Sequence, residues 1–138
     1  MDRLLLVVGA VAVAGVVAAL VGRRRPSPPA DNTGHIPRRL DRADFDGPGA
    51  PWLVAVFTSA GCNTCAGVVE RALPLASDQL TVQEVELGAD PQLHDRYRID
   101  AVPTLVLADA DGAVRTAFLG PVATDELWAA VADARDVS

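Results

Sequence analysis

The stretch Trp52-Leu53-Val54-Ala55-Val56-Phe57-Thr58-Ser59-Ala60-Gly61-Cys62-Asn63-Thr64-Cys65 decides how this chain is read. Six apolar residues run without interruption from Trp52 to Phe57, the mark of a strand buried on both faces. Turn-forming residues follow, and helical spacing then extends from Cys65 to Leu73, which sets Cys62 at a helix N-terminus. Unpaired backbone N–H groups and the helix dipole at that position stabilise a thiolate. Cys65 lies one turn behind, close enough for an intramolecular disulfide. The expected division of labour has exposed Cys62 attack a substrate disulfide and Cys65 resolve the mixed disulfide.

Cys62 and Cys65 are the only two cysteines, so a scaffold stapled by several disulfides is excluded. A redox couple, half of a metal site and an incidental buried pair are the readings that remain. Zinc would need two further ligands, and the only histidines are His35, at the edge of a linker, and His94. The strand-loop-helix setting favours redox chemistry, for which no metal and no bound cofactor is expected, because the electrons reside in the two sulfurs. Asp109 and Asp111 lack the further ligands of a calcium loop and read as turn formers.

Outward from this stretch the elements alternate. Ile36–Leu40 reads as a short strand, and Asp41 as the cap of a helical turn through Phe45 that ends at Gly47-Pro48-Gly49. Downstream, 81–87 is expected as a strand, and Asp90-Pro91 opens a short helix to Arg98. Residues 104–107 and 113–119 are expected as strands joined by an Asp109-Ala110-Asp111-Gly112 hairpin. Thr124 is the expected cap of a last helix carrying Leu127, Val131 and Ala134 on one side. The order β, α, β, α, β, β, α predicts a central mixed sheet of four or five strands with helices on both faces. Trp52 and Trp128 read as packing residues.

Upstream, residues 4–21 are all Leu, Val, Ala or Gly, an uncharged run of roughly 27 Å as a helix. Residues 1–22 are therefore expected to form one N-terminal transmembrane anchor, the alternative being a secretory signal. Arg23, Arg24 and Arg25 follow the run directly, which argues against cleavage. The same arginines favour a domain facing the cytoplasm, with the extracytoplasmic face as the alternative. An Arg/Pro-rich linker at 23–35 would hold the domain, residues 36–138, off the membrane.

The whole chain has 138 residues and a net charge of −6. The charge is uneven: residues 1–40 carry +4, and residues 41–138 carry six Arg against sixteen acids. An acidic domain argues against a nucleic-acid partner. Lysine is absent, which removes every lysine-based mechanism.

From about Ile36 to the C-terminus the sequence resembles the thioredoxin family. The resemblance rests on residues 57–65 and on Tyr97-Arg98-Ile99-Asp100-Ala101-Val102-Pro103-Thr104, with Gly112 and Gly120. It implies a thioredoxin-like α/β fold and a protein thiol–disulfide oxidoreductase, here membrane-tethered. Its partners would be protein disulfides or dithiols and an unidentified electron donor or acceptor. It also implies that Pro103 is a cis proline packed against the disulfide and that the backbone of Val102 pairs with bound peptide. The departures matter: Gly61 stands where the family has Trp, Asn63-Thr64 replace Gly-Pro, and Val56 and Glu84 occupy the positions of a buried Asp and its partnering Lys. Glu84 is accordingly a candidate proton relay, against its reading as a solvated strand charge. The non-enzymatic alternative is a binding module of the same fold, with the cysteine pair as a redox switch or metal half-site.

Overall fold

Strand β1 (Trp52–Thr58) is buried along its whole length, so it needs partners on both edges and cover on both faces. A computed structural model of the chain describes residues 34–137 and supplies both. The expected anchor, its run at 4–21 and the linker up to residue 33 lie outside the described residues. Among the described residues no helix is long and apolar enough to cross a membrane. After β1 come α1 (Cys65–Ala72), β2 (Leu80–Glu86), α2 (Pro91–Arg96), β3 (Thr104–Ala108), β4 (Val114–Leu119) and α3 (Thr124–Asp136). They form a mixed four-stranded sheet in the order β2-β1-β3-β4. β1 runs parallel to β2 and antiparallel to β3, which is antiparallel to β4.

Alternation along β1 divides the core in two. Trp52, Val54 and Val56 face Val68 and Ala72 of α1 and Leu127 and Val131 of α3. Leu53, Ala55 and Phe57 face the other way, against Leu40, Phe45 and Tyr97, with Leu93 of α2 packed alongside. The register pairs Phe57 with Thr104, Thr58 with Glu86 and Thr104 with Leu119. Loops 59–64, 87–90, 101–103 and 120–123 therefore meet at one end of the sheet.

Several boundaries differ from the sequence reading. Ile36–Leu40 makes no regular strand: Arg39 forms one isolated bridge to Ala113, and Pro37, lacking an N–H, cannot extend the ladder. Gly34 and His35, expected at the end of the linker, are joined to the domain, with His35 N–H donating to Asp100 Oδ1 at 2.7 Å. Helix α2 stops at Arg96, not Arg98, because Arg98 adopts a left-handed φ of 53°. Its N–H bonds to Asp95 O and that of Ile99 to His94 O, which closes the helix in a Schellman turn. Asp90 occupies the cap position of α2 without a side-chain cap bond. Thr124 is the first residue of α3 and not its cap, since buried Val122 fixes the approach and leaves Ala123 in the capping position.

The hairpin turn behaves as its residues dictate. Asp109 Oδ1 accepts from the N–H groups of Asp111 and Ala113, and Gly112 takes a φ of 83°. A Cβ at Gly112 would fall 1.8 Å from the Leu40 carbonyl oxygen, which accounts for glycine there.

Asp41 caps a 3-10 turn, Arg42–Asp44, by accepting from Ala43 N–H. Arg96 and Tyr97 tie this turn to the end of α2. Arg96 pairs with Asp41 and Asp44, and the Tyr97 hydroxyl accepts from Asp41 N–H while donating to Asp44. Burial, with the Asp44 hydrogen bond next in weight, pushes the Tyr97 phenol up to about 12. Tyrosine titrates near about 10 in an unfolded chain, so this stabilisation is complete below that pH and is lost as pH rises through the folded value. Urea denaturation should give a midpoint that falls between about pH 10 and 12. Tyr97→Phe should flatten that fall and cost about 1–2 kcal/mol at neutral pH, because Asp41 N–H loses its acceptor.

Candidate active site

Cys62 and Cys65 are joined as a disulfide at the start of α1. Cys65 is the first residue of the helix, and its spacing to Val68 and Ala72 puts all three on the face turned to the sheet. It is only 3% exposed, whereas Cys62, in the preceding turn, is half-buried. A Cβ added at Gly61, the residue before Cys62, would meet nothing within 4 Å apart from its chain neighbours. Cys62 Sγ lies 3.8 Å from Thr64 Oγ1, which brings a hydroxyl donor near the sulfur.

Across the same end of the sheet, the Val102–Pro103 bond is cis. Pro103 directly precedes Thr104, the register partner of Phe57, so the loop sits beside the chain that leads from Thr58 to Cys62. Pro103 is buried, while Val102 is partly exposed. Thr104 Oγ1 donates to Ala101 O at 2.7 Å and Gly120 N–H to Pro103 O at 2.8 Å, which fixes the loop from both sides. The structure thus brings Cys62, Cys65, Val102 and Pro103 to one end of the sheet.

Glu84 is placed differently. It is the register partner of Val56, two residues before the end of β2, and its side chain is exposed. Its one hydrogen bond comes from the buried Thr58 hydroxyl, which donates to Glu84 Oε1 at 2.8 Å. Thr58 is the last residue of β1 and shares a face with Val56, so the pair Thr58–Glu84 lies beneath the turn that carries the cysteines. The sequence signal for Thr58 was a single hydroxyl closing an apolar run.

Glu86, which the sequence did not single out, braces the same end. The Gly88 backbone N–H, against partial desolvation and with those of Ala89 and Ala60 and the charge of His94 assisting, holds its carboxyl below the usual carboxylate range. The Ala89 bond is 2.9 Å long, and Leu87 N–H donates to Thr58 O at 2.9 Å. Loop 87–90 and the turn before Cys62 are joined in this way.

The histidines are apart from the sulfurs in role. His94 is buried, its Nε2 donates to Val85 O at 2.8 Å, and its ring meets Phe57 edge-on. His35 is exposed. Among the described residues no group of three or more His, Cys, Asp or Glu is placed to hold a metal ion. Trp52 lies in the core, and Trp128 is 44% exposed with Nε1–H donating to Arg71 O.

A central mixed sheet with helices on both faces, a Cys-x-x-Cys disulfide opening a helix and a cis proline opposite it define the thioredoxin-like α/β fold. Solved structures carry the same fold. The chain is similar to chloroplastic thioredoxin z at 18% identity and TM-score 0.56, covering 62% of this chain and 80% of that one. It is similar to thioredoxin O2 from Arabidopsis thaliana in its oxidised state at 22% identity and TM-score 0.55, covering 67% and 88%. A malarial protein matches at 15% identity and TM-score 0.53, over 60% of this chain and 96% of that one. No protein-family model and no curated protein sequence matches the chain.

Proposed function

We propose that this protein is a membrane-tethered thiol–disulfide oxidoreductase that exchanges disulfides with protein substrates through Cys62 and Cys65. The observation that carries the reading is the unequal exposure of two bonded sulfurs at a helix N-terminus beside a cis-proline loop. In the reducing direction, the Cys62 thiolate attacks a substrate disulfide and forms a mixed disulfide, releasing one substrate thiolate. The Cys65 thiolate then attacks Cys62 Sγ, which closes the Cys62–Cys65 bond and releases the second substrate thiolate. Two electrons pass to the substrate, protons come from water, and a dithiol donor restores the reduced pair. The reverse sequence oxidises a substrate dithiol. The backbone of Val102 is the pairing edge for the substrate segment, held by buried Pro103.

Glu84, with Thr58 as its partner, serves as the carboxylate relay that takes the Cys65 proton in the resolving step. The apolar run at 4–21 is the anchor, and Arg23, Arg24 and Arg25 favour the domain on the cytoplasmic face. Tethering raises the effective concentration of the pair toward substrates at the membrane.

In a protein-disulfide reduction assay driven by dithiothreitol, Cys62→Ser should lower turnover by about a hundredfold or more, since the attacking group is gone. Cys65→Ser should accumulate the mixed disulfide on non-reducing gels. Wild-type turnover no faster than that of Cys62→Ser would reject the enzymatic reading. Glu84→Gln should slow turnover at neutral pH by about tenfold, less than a directly placed base would give, and move the rise in rate to higher pH. An unchanged pH profile would remove Glu84 from the mechanism. In intact cells, a membrane-impermeant maleimide should leave the cysteines unlabelled while a permeant one labels them after reduction. Labelling by the impermeant reagent would put the domain on the outer face.

A further inference from the structure

The segments that build the end of the sheet carrying Cys62 are 34–36, 58–66, 84–91, 99–104 and 118–126. Together they hold Glu84, Glu86, Asp90, Asp100, Asp125 and Glu126, and not one arginine. Lysine is absent from the chain, so His35 is the only basic side chain among these segments. Of the eight arginines of the described residues, Arg71 alone turns toward this end: from the last turn of α1 its guanidinium reaches back along the helix to Gly67, where Nη1 would lie 3.0 Å from an added Cβ. Arg38, Arg39, Arg42, Arg96 and Arg115 surround the 109–112 hairpin and the 3-10 turn at the opposite end, and Arg135 lies in the last turn of α3. Arg98 stands beyond the last residue of α2.

The carboxylates at the two ends also differ in what they bond. Among the described residues the ion pairs are Arg96 with Asp41 and Asp44 and Arg115 with Asp109, all at the far end. Near the cysteines, Glu84 accepts from a hydroxyl, Glu86 from backbone N–H groups and Asp100 from His35 N–H. These bonds hold the groups without cancelling their charge. The helix N-termini at this end return at most about half a positive charge each and Arg71 one more, which leaves the six carboxylates dominant.

We infer that the substrates of this site are cationic: protein segments in which the reacting cystine is flanked by Arg or Lys. The inference rests on the thiol–disulfide reading above and goes on to name which disulfides are served. A like-signed rim attracts opposite charge, raises its local concentration at Cys62 and repels acidic segments, an effect that salt suppresses. The Val102 pairing edge lies inside this rim, so a bound segment runs past carboxylates from several elements.

The test uses the full-length chain in a non-ionic detergent and two cyclic cystine peptides, identical except that four Lys in one are four Glu in the other. The values of kcat/KM are divided by the rate constants of dithiothreitol alone on the same peptides, which removes differences in intrinsic cystine reactivity. At about 0.02 M salt the Lys peptide should be favoured by about tenfold or more, and the preference should collapse at about 0.5 M, where the Debye length is only about 4 Å. The triple variant Asp90→Asn, Asp125→Asn, Glu126→Gln should lose most of that preference. It should leave turnover of the neutral bis(2-hydroxyethyl) disulfide unchanged, which shows that it is folded. Equal kcat/KM for the two peptides at low salt would overturn the inference, as would a preference untouched by salt or by the triple variant. Absence of turnover on the neutral disulfide would sink the enzymatic reading instead. Fluorescence anisotropy with labelled cysteine-free versions of both peptides then reads the surface by itself: tighter Lys-peptide binding at low salt supports the inference, and equal binding overturns it.

Discussion

Everything in this domain depends on β1 having water on neither face. Its seven residues are all buried, and each large apolar side chain so placed contributes about 1.5–3 kcal/mol. A strand of this kind is stable only between two layers, so α1 and α3 must cover Trp52, Val54 and Val56. The segment around Leu40 and Phe45, with α2, must cover Leu53, Ala55 and Phe57. The same constraint governs the chemistry. A carboxylate at Val56 would be desolvated at the centre of the sheet, whereas Glu84, its neighbour on edge strand β2, stays exposed and reaches inward only through the Thr58 hydroxyl. The carboxylate beside Val56 thereby stands at the edge of the sheet and not in the core.

The direction of the chain explains the distribution of charge. All three helices follow turns at the same end of the sheet, so all three N-termini gather near Cys62 and all three C-termini point away. Acids are favoured in first turns and bases in last turns by the helix dipole, as Asp125, Glu126 and Arg135 of α3 illustrate. All three helices carry bases in their last turns, Arg71, Arg96 and Arg135, whereas only α3 carries acids in its first turn; the other acids at the cysteine end, Glu84, Glu86, Asp90 and Asp100, come from β2 and the loops. The far end then neutralises itself through Arg96, Asp41, Asp44, Arg115 and Asp109, where the 3-10 turn and the hairpin must be held. At the cysteine end no ion pair forms among the described residues, so its carboxylates keep their charge.

How much of this was legible in the sequence follows from how local each signal is. The run 52–57, the turn before Cys65 and the Asp109–Gly112 hairpin are encoded by adjacent residues and were readable from them. The cis bond before Pro103 came only through the resemblance carried by residues 97–104, since Val-Pro by itself reads as the start of a strand. The failures were contextual. Residues 36–40 have strand-like composition, but Pro37 and the single bridge at Arg39 limit them to a strap across the hairpin. The left-handed Arg98 has no glycine to announce it, and the Schellman bonds that hold it there appear only once α2 has formed. The partners of Glu84, Tyr97 and Arg96 lie 26 to 56 residues away in sequence, beyond any local pattern.

The asymmetry of the two cysteines needs no special device beyond helix geometry. Cys65 begins α1 on the face shared with Val68 and Ala72, so packing against the sheet buries it. Cys62 precedes the helix, where the chain is still turning away from Thr58, and Gly61 leaves the space beside it open. Of the two sulfurs, only that of Cys62 is open to approach from outside. In the proposed exchange the resolving step by Cys65 is intramolecular, since Cys62 three residues earlier already sits at bonding distance, and it needs no access for the substrate. In that proposed exchange, burial alone sets the order of reaction before any difference in acidity between the two thiols is considered, because the same strand that forms the core also decides which sulfur remains outside it.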